Sequence, residues 1–361
     1  MVFRWRFSWV LKSFGRKTVS LYSENPETGN IYRQTFLDEV RAWIENQSAL
    51  AKINRREFFK PDFSSPEAYA DSADLYREAF KEMLGYPLNQ DPFPGIPTAR
   101  TQIVGDDELG RIERIWIETL PGLHTYGLLF MPLTAGPHPL ILSLHGGGGS
   151  PEVCSSFFNS ENYNDMTRKA QRLGAVVFVP QFLLWREAFG PPHNRQELDA
   201  RLRQLGGSVA ALEIFEIQRS LDYLTNRLDV AAGRIGSIGL SYGGFYSLFC
   251  AAVDPRIKVC VSSCFFNDRA KYAWVDWSWF NAANTFFDAE TAGLICPRAL
   301  YIEVGKNDEK FSVDTAILEA EQVRGIYERL GISERFCFNP FDGGHEIARS
   351  DAAFEFLKKW L

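Results

Sequence analysis

From residue 111 onward the chain repeats one pattern: a short apolar run, then a longer stretch with apolar positions three and four apart. RIERIWIETL alternates as a half-buried strand does, and TYGLLFMPL follows it after the turn PGLH. PLILSLHGGGG, GAVVFVP, RIGSIGL, IKVCVSSCFF, RALYIEVG and RFCFNPF are short apolar runs. Between most of them lie amphipathic stretches: ENYNDMTRKAQRLG, VAALEIFEIQRSLDYLTNRL, YGGFYSLFCAAV and TAILEAEQVRGIYERLG, with DAAFEFLKKWL last. Continuous apolar strands alternating with amphipathic helices predict an α/β fold: a mostly parallel, doubly wound sheet flanked by helices on both faces.

Residues 1–100 read differently. TFLDEVRAWIENQSALAKI places Phe36, Val40, Trp43 and Ile44 on one helical face. SSPEAYADSADLYREAFKEML opens with Ser65 before Pro66, a cap followed by proline at the first helical position. YPLNQDPFPGIPTAR then carries Pro87, Pro92, Pro94 and Pro97 with Gly95, and reads as a linker. The pattern predicts an N-terminal helical extension over 1–100, as a cap or an oligomer contact that leaves a homodimer open, and a catalytic domain over 101–361. Two connections, near 181–208 and 267–290, exceed the ~2–6 residues usual in such sheets. They read as lid insertions, because long connections at strand C-termini build ligand sites in α/β sheets.

Composition narrows the function classes. The 361 residues carry a formal net charge of −6, without the basic stripe that a nucleic-acid surface requires. Six cysteines show no CxxC pair, so no zinc or redox motif is expected, and reduced thiols fit a cytoplasmic location. No apolar run approaches the ~18 residues of a membrane span. The first 20 residues interleave Arg4, Arg6 and Lys12 with Trp and Phe, which interrupts any signal-peptide apolar region. They read as an arm packed on its own domain or on a sister subunit, with a membrane-surface helix as the alternative.

The candidate chemistry begins at Gly239-Leu240-Ser241-Tyr242-Gly243, a G-x-S-x-G between the strand RIGSIGL and the helix YGGFYSLFCAAV. A sharp strand-to-helix turn lifts the Ser241 hydroxyl off the sheet and sets it at a helix N-terminus. A serine needs a base, and His345 in FDGGHE follows it in the order Ser, acid, His. Asp308 lies directly after the strand RALYIEVG, where an acid would hold the imidazole tautomer; Glu303, Asp314 and Asp342 are weaker alternatives. The oxyanion needs backbone donors. Tyr242 supplies one, and Gly146 or Gly147 in His145-Gly146-Gly147-Gly148-Gly149 supplies the second, with His145 orienting the loop. Polyglycine without G-x-x-x-x-G-K-[ST] disfavours a nucleotide phosphate loop.

The aromatic run Tyr272, Trp274, Trp277, Trp279 and Phe280 reads either as a pocket wall for substrate or as a small core beneath the lid; Trp274, Trp277 and Trp279 are the substrate-binding candidates. Arg186, Glu187, His193 and Arg195 are candidate polar substrate contacts or solvated charges.

The region from about residue 111 resembles the α/β-hydrolase superfamily. LDVAAGRIGSIGLSYGGFYSLFCAAVDPRIKVCV looks like the prolyl-oligopeptidase, dienelactone-hydrolase and acetyl-xylan-esterase branch: an Asp-containing turn, Arg-Ile, then an elbow with an extra glycine, here Gly244. Dienelactone hydrolases carry a cysteine nucleophile where this chain has Ser241. The RGQ motif of acetyl xylan esterases is absent, although His345-Glu346 is similar to theirs. The N-terminal residues are too few and too helical for the propeller of prolyl-oligopeptidase-like enzymes. The resemblance implies a serine carboxylic-ester hydrolase acting on a small-molecule ester through an acyl-enzyme, with no metal or organic cofactor. Peptide, amide or C–C bond hydrolysis on the same residues is the first alternative. A non-catalytic small-molecule binding protein is the second.

Overall fold

The computed structural model describes residues 21–90, 93–158 and 162–361. The basic-aromatic arm and Pro92 lie outside them. Compactness divides the chain into Met1–Ala49 and Leu50–Leu361. Helix α1 (Asn30–Phe58) runs across that division, and the rest of the described chain from α2 onward belongs to the larger unit. The change near residue 100 read from the sequence is a change of secondary structure, from helices to strands.

Among the described residues, nine strands form one sheet: β1 (Ala99–Asp107), β2 (Gly110–Leu120), β3 (Leu123–Pro132), β4 (His138–Leu144), β5 (Val176–Pro180), β6 (Val230–Leu240), β7 (Ile257–Ser263), β8 (Ala299–Gly305) and β9 (Phe336–Phe341). Their order is β1-β2-β3-β5-β4-β6-β7-β8-β9. β1, β2 and β3 pair antiparallel, as do β3 and β5; every pair from β5 to β9 is parallel. The remaining helices are α2 (Pro66–Leu84), α3 (Pro151–Cys154), α4 (Met166–Arg172), α5 (Arg195–Gln204), α6 (Val209–Leu224), α7 (Tyr242–Val253), α8 (Ala282–Thr285), α9 (Asp288–Gly293), α10 (Val313–Arg329) and α11 (Ala352–Trp360).

Alternation along the strands creates two cores. Leu140, Leu142 and Leu144 of β4 point to the face covered by α2, α6, α7 and α10. Ile141 of β4, with Val177, Ile238 and Val261, points to the face covered by α4 and α11. Both faces are therefore buried, which is why these strands read as unbroken apolar runs.

The helix signals hold at residue level. The Ser65 hydroxyl accepts from Ala68 N and Pro66 opens α2; the Ser208 hydroxyl does the same for α6, accepting from Ala211 N at 3.0 Å. One strand departs from the sequence reading. Ala99 and Arg100, assigned to the linker, begin β1, the outermost strand. Most of its residues are exposed on both faces, so no apolar alternation marks it.

Chain order reverses beside β4: β5 lies on one side and β6 on the other. The C-terminal ends of β4 and β6 consequently flank a crevice, the position at which α/β sheets of this kind bind ligands.

Candidate active site

Four loops converge at the C-terminal edge of the sheet: His145–Gly149 after β4, Ser241 after β6, Asp308 after β8 and His345 after β9. Ser241 holds φ 59° and ψ −118° between β6 and α7. An L-residue in that region is strained by ~1–3 kcal/mol and persists only when its surroundings fix it. Here Ser241 N donates to Ser263 O at 2.8 Å and Phe245 N donates to Ser241 O at 2.9 Å. A Cβ on Gly243 would overlap the Leu144 carbonyl, so α7 packs this closely against β4 only with glycine there.

His345 Nδ1 lies 2.9 Å from Asp308 Oδ2. Asp308 Oδ1 accepts from Lys310 N at 2.8 Å and Phe311 N at 3.1 Å. Burial acts to raise the Asp308 pKa, but the hydrogen bond and charge of His345 and the two amides outweigh it, and the carboxyl is held below its usual value. The acid and histidine loops are tied backbone to backbone: Lys306 N donates to Phe341 O and Asn307 N to Gly343 O, both at 2.9 Å. A side chain on Gly305 would overlap the Gly344 carbonyl. His345 is bonded to Asp308 but not, among the described residues, to the Ser241 hydroxyl, which shares a cavity wall with it.

The three alternative acids are placed elsewhere. Glu303 is buried in β8, where it accepts from Ser263 Oγ at 2.8 Å and Ala348 N at 2.9 Å, and burial raises its pKa. Asp342 is exposed and pairs with Lys306. Asp314 lies in the first turn of α10.

In the glycine loop, three of the four amides are engaged. Gly146 N donates to Tyr163 Oη at 2.8 Å, Gly148 N to Leu184 O at 2.7 Å, and Gly149 N to Gly146 O at 3.1 Å. Gly147 N has no acceptor among the described residues. Tyr242 N, at the first position of α7, has none either, as expected at a helix start. The sequence left Gly146 and Gly147 as equal candidates; the bond to Tyr163 commits Gly146, and Gly147 remains. Nothing in the spacing of ENYNDM marks Tyr163 for this task.

His145 is fully buried. Its Nδ1 lies 2.9 Å from Gly146 O, and its Nε2 accepts from Phe182 N at 3.1 Å. Burial lowers its pKa to about 4, so the imidazole stands neutral between the glycine loop and Phe182.

The cavity above Ser241 measures about 940 Å³ and is lined by Gly147, Tyr242, His345, Trp274, Arg186 and Lys310, among others. The aromatic candidates separate here. Trp274 lines the cavity and is 40% exposed, whereas Trp277 is 1% exposed and lies beneath it, stacked on Trp274 with centroids 4.6 Å apart. Trp279 packs on Phe245 and Phe249 and donates to Ser208 Oγ at 3.3 Å. Trp277 and Trp279 therefore belong to the small core under the lid rather than to the pocket wall. Of the polar candidates in the first insertion, Arg186 reaches the cavity. His193 Nε2 lies 3.0 Å from Leu183 O, and Arg195, partly buried, pairs with the buried Glu213 and Asp276 in an ion network that the spacing of the sequence did not suggest.

Cys264 Sγ, Asp308 and His345 bring possible ligand atoms within 4.8 Å of one another. The thiol is buried, its pKa is pushed up by that burial, and it donates to Glu346 O at 3.3 Å. The carboxylate and Nδ1 are bonded to each other. The set is committed internally, and a buried protonated thiol is a poor metal ligand.

Residues 132–323, more than half of the chain, match the dienelactone hydrolase family. The chain belongs to that family. Among its curated relatives is YtaP of Bacillus subtilis (strain 168), provisionally named a hydrolase, which is 28% identical over 248 residues; the match covers 63% of this chain and 80% of YtaP. Solved structures share the fold at lower identity. One from Bacteroides fragilis NCTC 9343, provisionally named an acetyl xylan esterase, is 16% identical with a TM-score of 0.63, covering 86% of this chain and 88% of that one. The glucuronoyl esterase from Solibacter usitatus is 15% identical with a TM-score of 0.60, covering 82% and 93%. Of the three groups that the elbow sequence resembles, the family match selects the dienelactone hydrolases. This dienelactone hydrolase family member carries Ser241 at the elbow, and the cysteine nearest the imidazole, Cys264, is buried and protonated.

Proposed function

We propose that this family member is a carboxylic-ester hydrolase that works through an acyl-enzyme on Ser241, with His345 as base and Asp308 as its orienting acid. The observation that carries the reading is a serine held at positive φ on a strand-to-helix turn, facing the same cavity as an imidazole bonded to a carboxylate of lowered pKa. His345 Nδ1–H donates to Asp308, which leaves Nε2 as the acceptor for the Ser241 proton. Hydrogen bonds to a catalytic base are often long without substrate and tighten with it, so the absence of a Ser241–His345 bond is compatible with this role. The hydroxyl attacks the ester carbonyl, the amides of Tyr242 and Gly147 take the oxyanion, and His345 returns the proton to the leaving alcohol. Water then enters by the same imidazole and releases the acid.

The cavity mixes Trp274 and Tyr272 with Arg186, Glu309 and Lys310. Such a lining suits an ester whose acid or alcohol part is polar and hydroxylated, and the names of the acetyl xylan and glucuronoyl esterases above point the same way. Hydrolysis of p-nitrophenyl acetate and of acetylated xylose tests the reading, with Ser241→Ala alongside. Ester cleavage by the wild type and none above background by the variant is expected; full activity in the variant overturns it.

A further inference from the structure

We infer that Arg195 is a positioning residue for the oxyanion pocket, because one buried ion network that it centres holds both candidate donor amides. The inference rests on the acyl-transfer reading above. Arg195 stands at the start of α5, in the first insertion. Its Nε donates to Asp276 Oδ2 at 2.7 Å, in the second insertion. Its Nη2 donates to Tyr246 Oη at 2.7 Å, in α7, and lies 2.9 Å from Glu213 Oε2, in α6. Its Nη1 donates to Leu183 O at 3.3 Å. The planar fork of one guanidinium thus joins both insertions to the elbow helix and to α6.

From this centre one branch reaches the first donor. Tyr242 Oη donates to the same Asp276 Oδ2 at 2.9 Å, and the Tyr242 ring packs on Trp277 with centroids 4.4 Å apart. The Arg195 guanidinium lies over that ring, 5.5 Å from its centroid. Burial keeps the phenol protonated, as a donor to Asp276 must be. Ring and hydroxyl are both fixed, and the amide of Tyr242 is fixed with them.

A second branch reaches the other donor. Glu213 Oε1 accepts from Leu183 N at 2.6 Å, and Arg195 binds the carbonyl of the same residue. The neighbouring carbonyl, Leu184 O, accepts from Gly148 N at 2.7 Å, and Phe182 N donates to His145 Nε2. The segment 182–184 therefore clamps the glycine loop on both sides of Gly147. Gly147 in turn lies against Tyr242, since a Cβ there would sit 3.2 Å from Tyr242 Cδ2. The Gly147 backbone and the Tyr242 ring are in contact, and the same network supports both residues.

Arg195→Lys keeps the charge and removes the fork. With p-nitrophenyl acetate it is expected to lower kcat about tenfold or more and leave KM within about twofold, the pattern of an interaction realised in the transition state. Inhibition by an alkyl trifluoromethyl ketone, whose hemiketal places an oxyanion between the two amides, should weaken by the same factor. Tyr242→Phe removes one oxygen and should lower kcat a few-fold with the same signature; it and Asp276→Asn carry the test if Arg195→Lys does not fold. A lowered melting temperature with kcat and ketone inhibition unchanged would show a merely structural network, and a rise in KM alone would show a substrate contact; either overturns the inference. Ser241→Ala separates this from the parent reading. Inert Ser241→Ala beside fully active Arg195→Lys and Tyr242→Phe defeats the positioning role alone, and active Ser241→Ala defeats the acyl-enzyme itself.

Discussion

Asp308 has its pKa lowered in the fold: burial opposes the shift, and His345 with the amides of Lys310 and Phe311 overcomes it. A lowered carboxyl pKa adds stability above the unfolded value of about 4, and that part is lost as pH falls further. Asp308→Asn is therefore expected to be less stable than wild type at neutral pH, with the gap closing below about pH 4 in urea unfolding. The same variant should lose roughly 10⁴-fold in kcat for p-nitrophenyl acetate, since an amide there favours the wrong imidazole tautomer. The sequence could single out Ser241 and Asp308 as candidates because a glycine-flanked serine between a strand and a helix, and an acid just past a strand, are features of a few adjacent positions. The partner of Gly146 was not legible, because it depends on Tyr163, which tertiary packing brings to the loop.

At the scale of elements, the strands buried on both faces and the capped helices were readable from pattern, and β1 was not. An outer strand exposed on both sides has no alternation to display. The second insertion was recognisable by its length and its aromatic residues, but spacing within an irregular segment does not tell which ring faces in. Trp277 is enclosed by Tyr242, Phe265 and Trp274, while Trp274 borders the cavity. Trp277→Ala should cost about 3–5 kcal/mol of stability, the usual loss for a buried aromatic. Trp274→Ala should raise KM for bulky esters several-fold and shift the melting temperature far less. Comparable stability losses in the two variants would contradict this division of the lid.

For the whole molecule, the doubly wound sheet followed from the alternation of strands and helices, and the reversal of strand order beside β4 locates the crevice. The division after Ala49 did not follow, since a continuous helical pattern spans it. The fold also carries a pH dependence from His145. Its pKa is lowered by burial to about 4, from the ordinary 6.5. Between these values the unfolded chain binds a proton that the folded chain excludes, so stability rises with pH, by roughly 3 kcal/mol across the window. Urea unfolding at pH 7 and at pH 5 should show the loss on acidification, and His145→Gln should reduce the slope. The central claim, acyl transfer on Ser241, is tested most directly by stoichiometric labelling with a fluorophosphonate probe, mapped by mass spectrometry. One adduct on Ser241, with ester hydrolysis abolished in proportion to labelling, is expected; an unlabelled Ser241, or ester hydrolysis that survives complete labelling, contradicts the account.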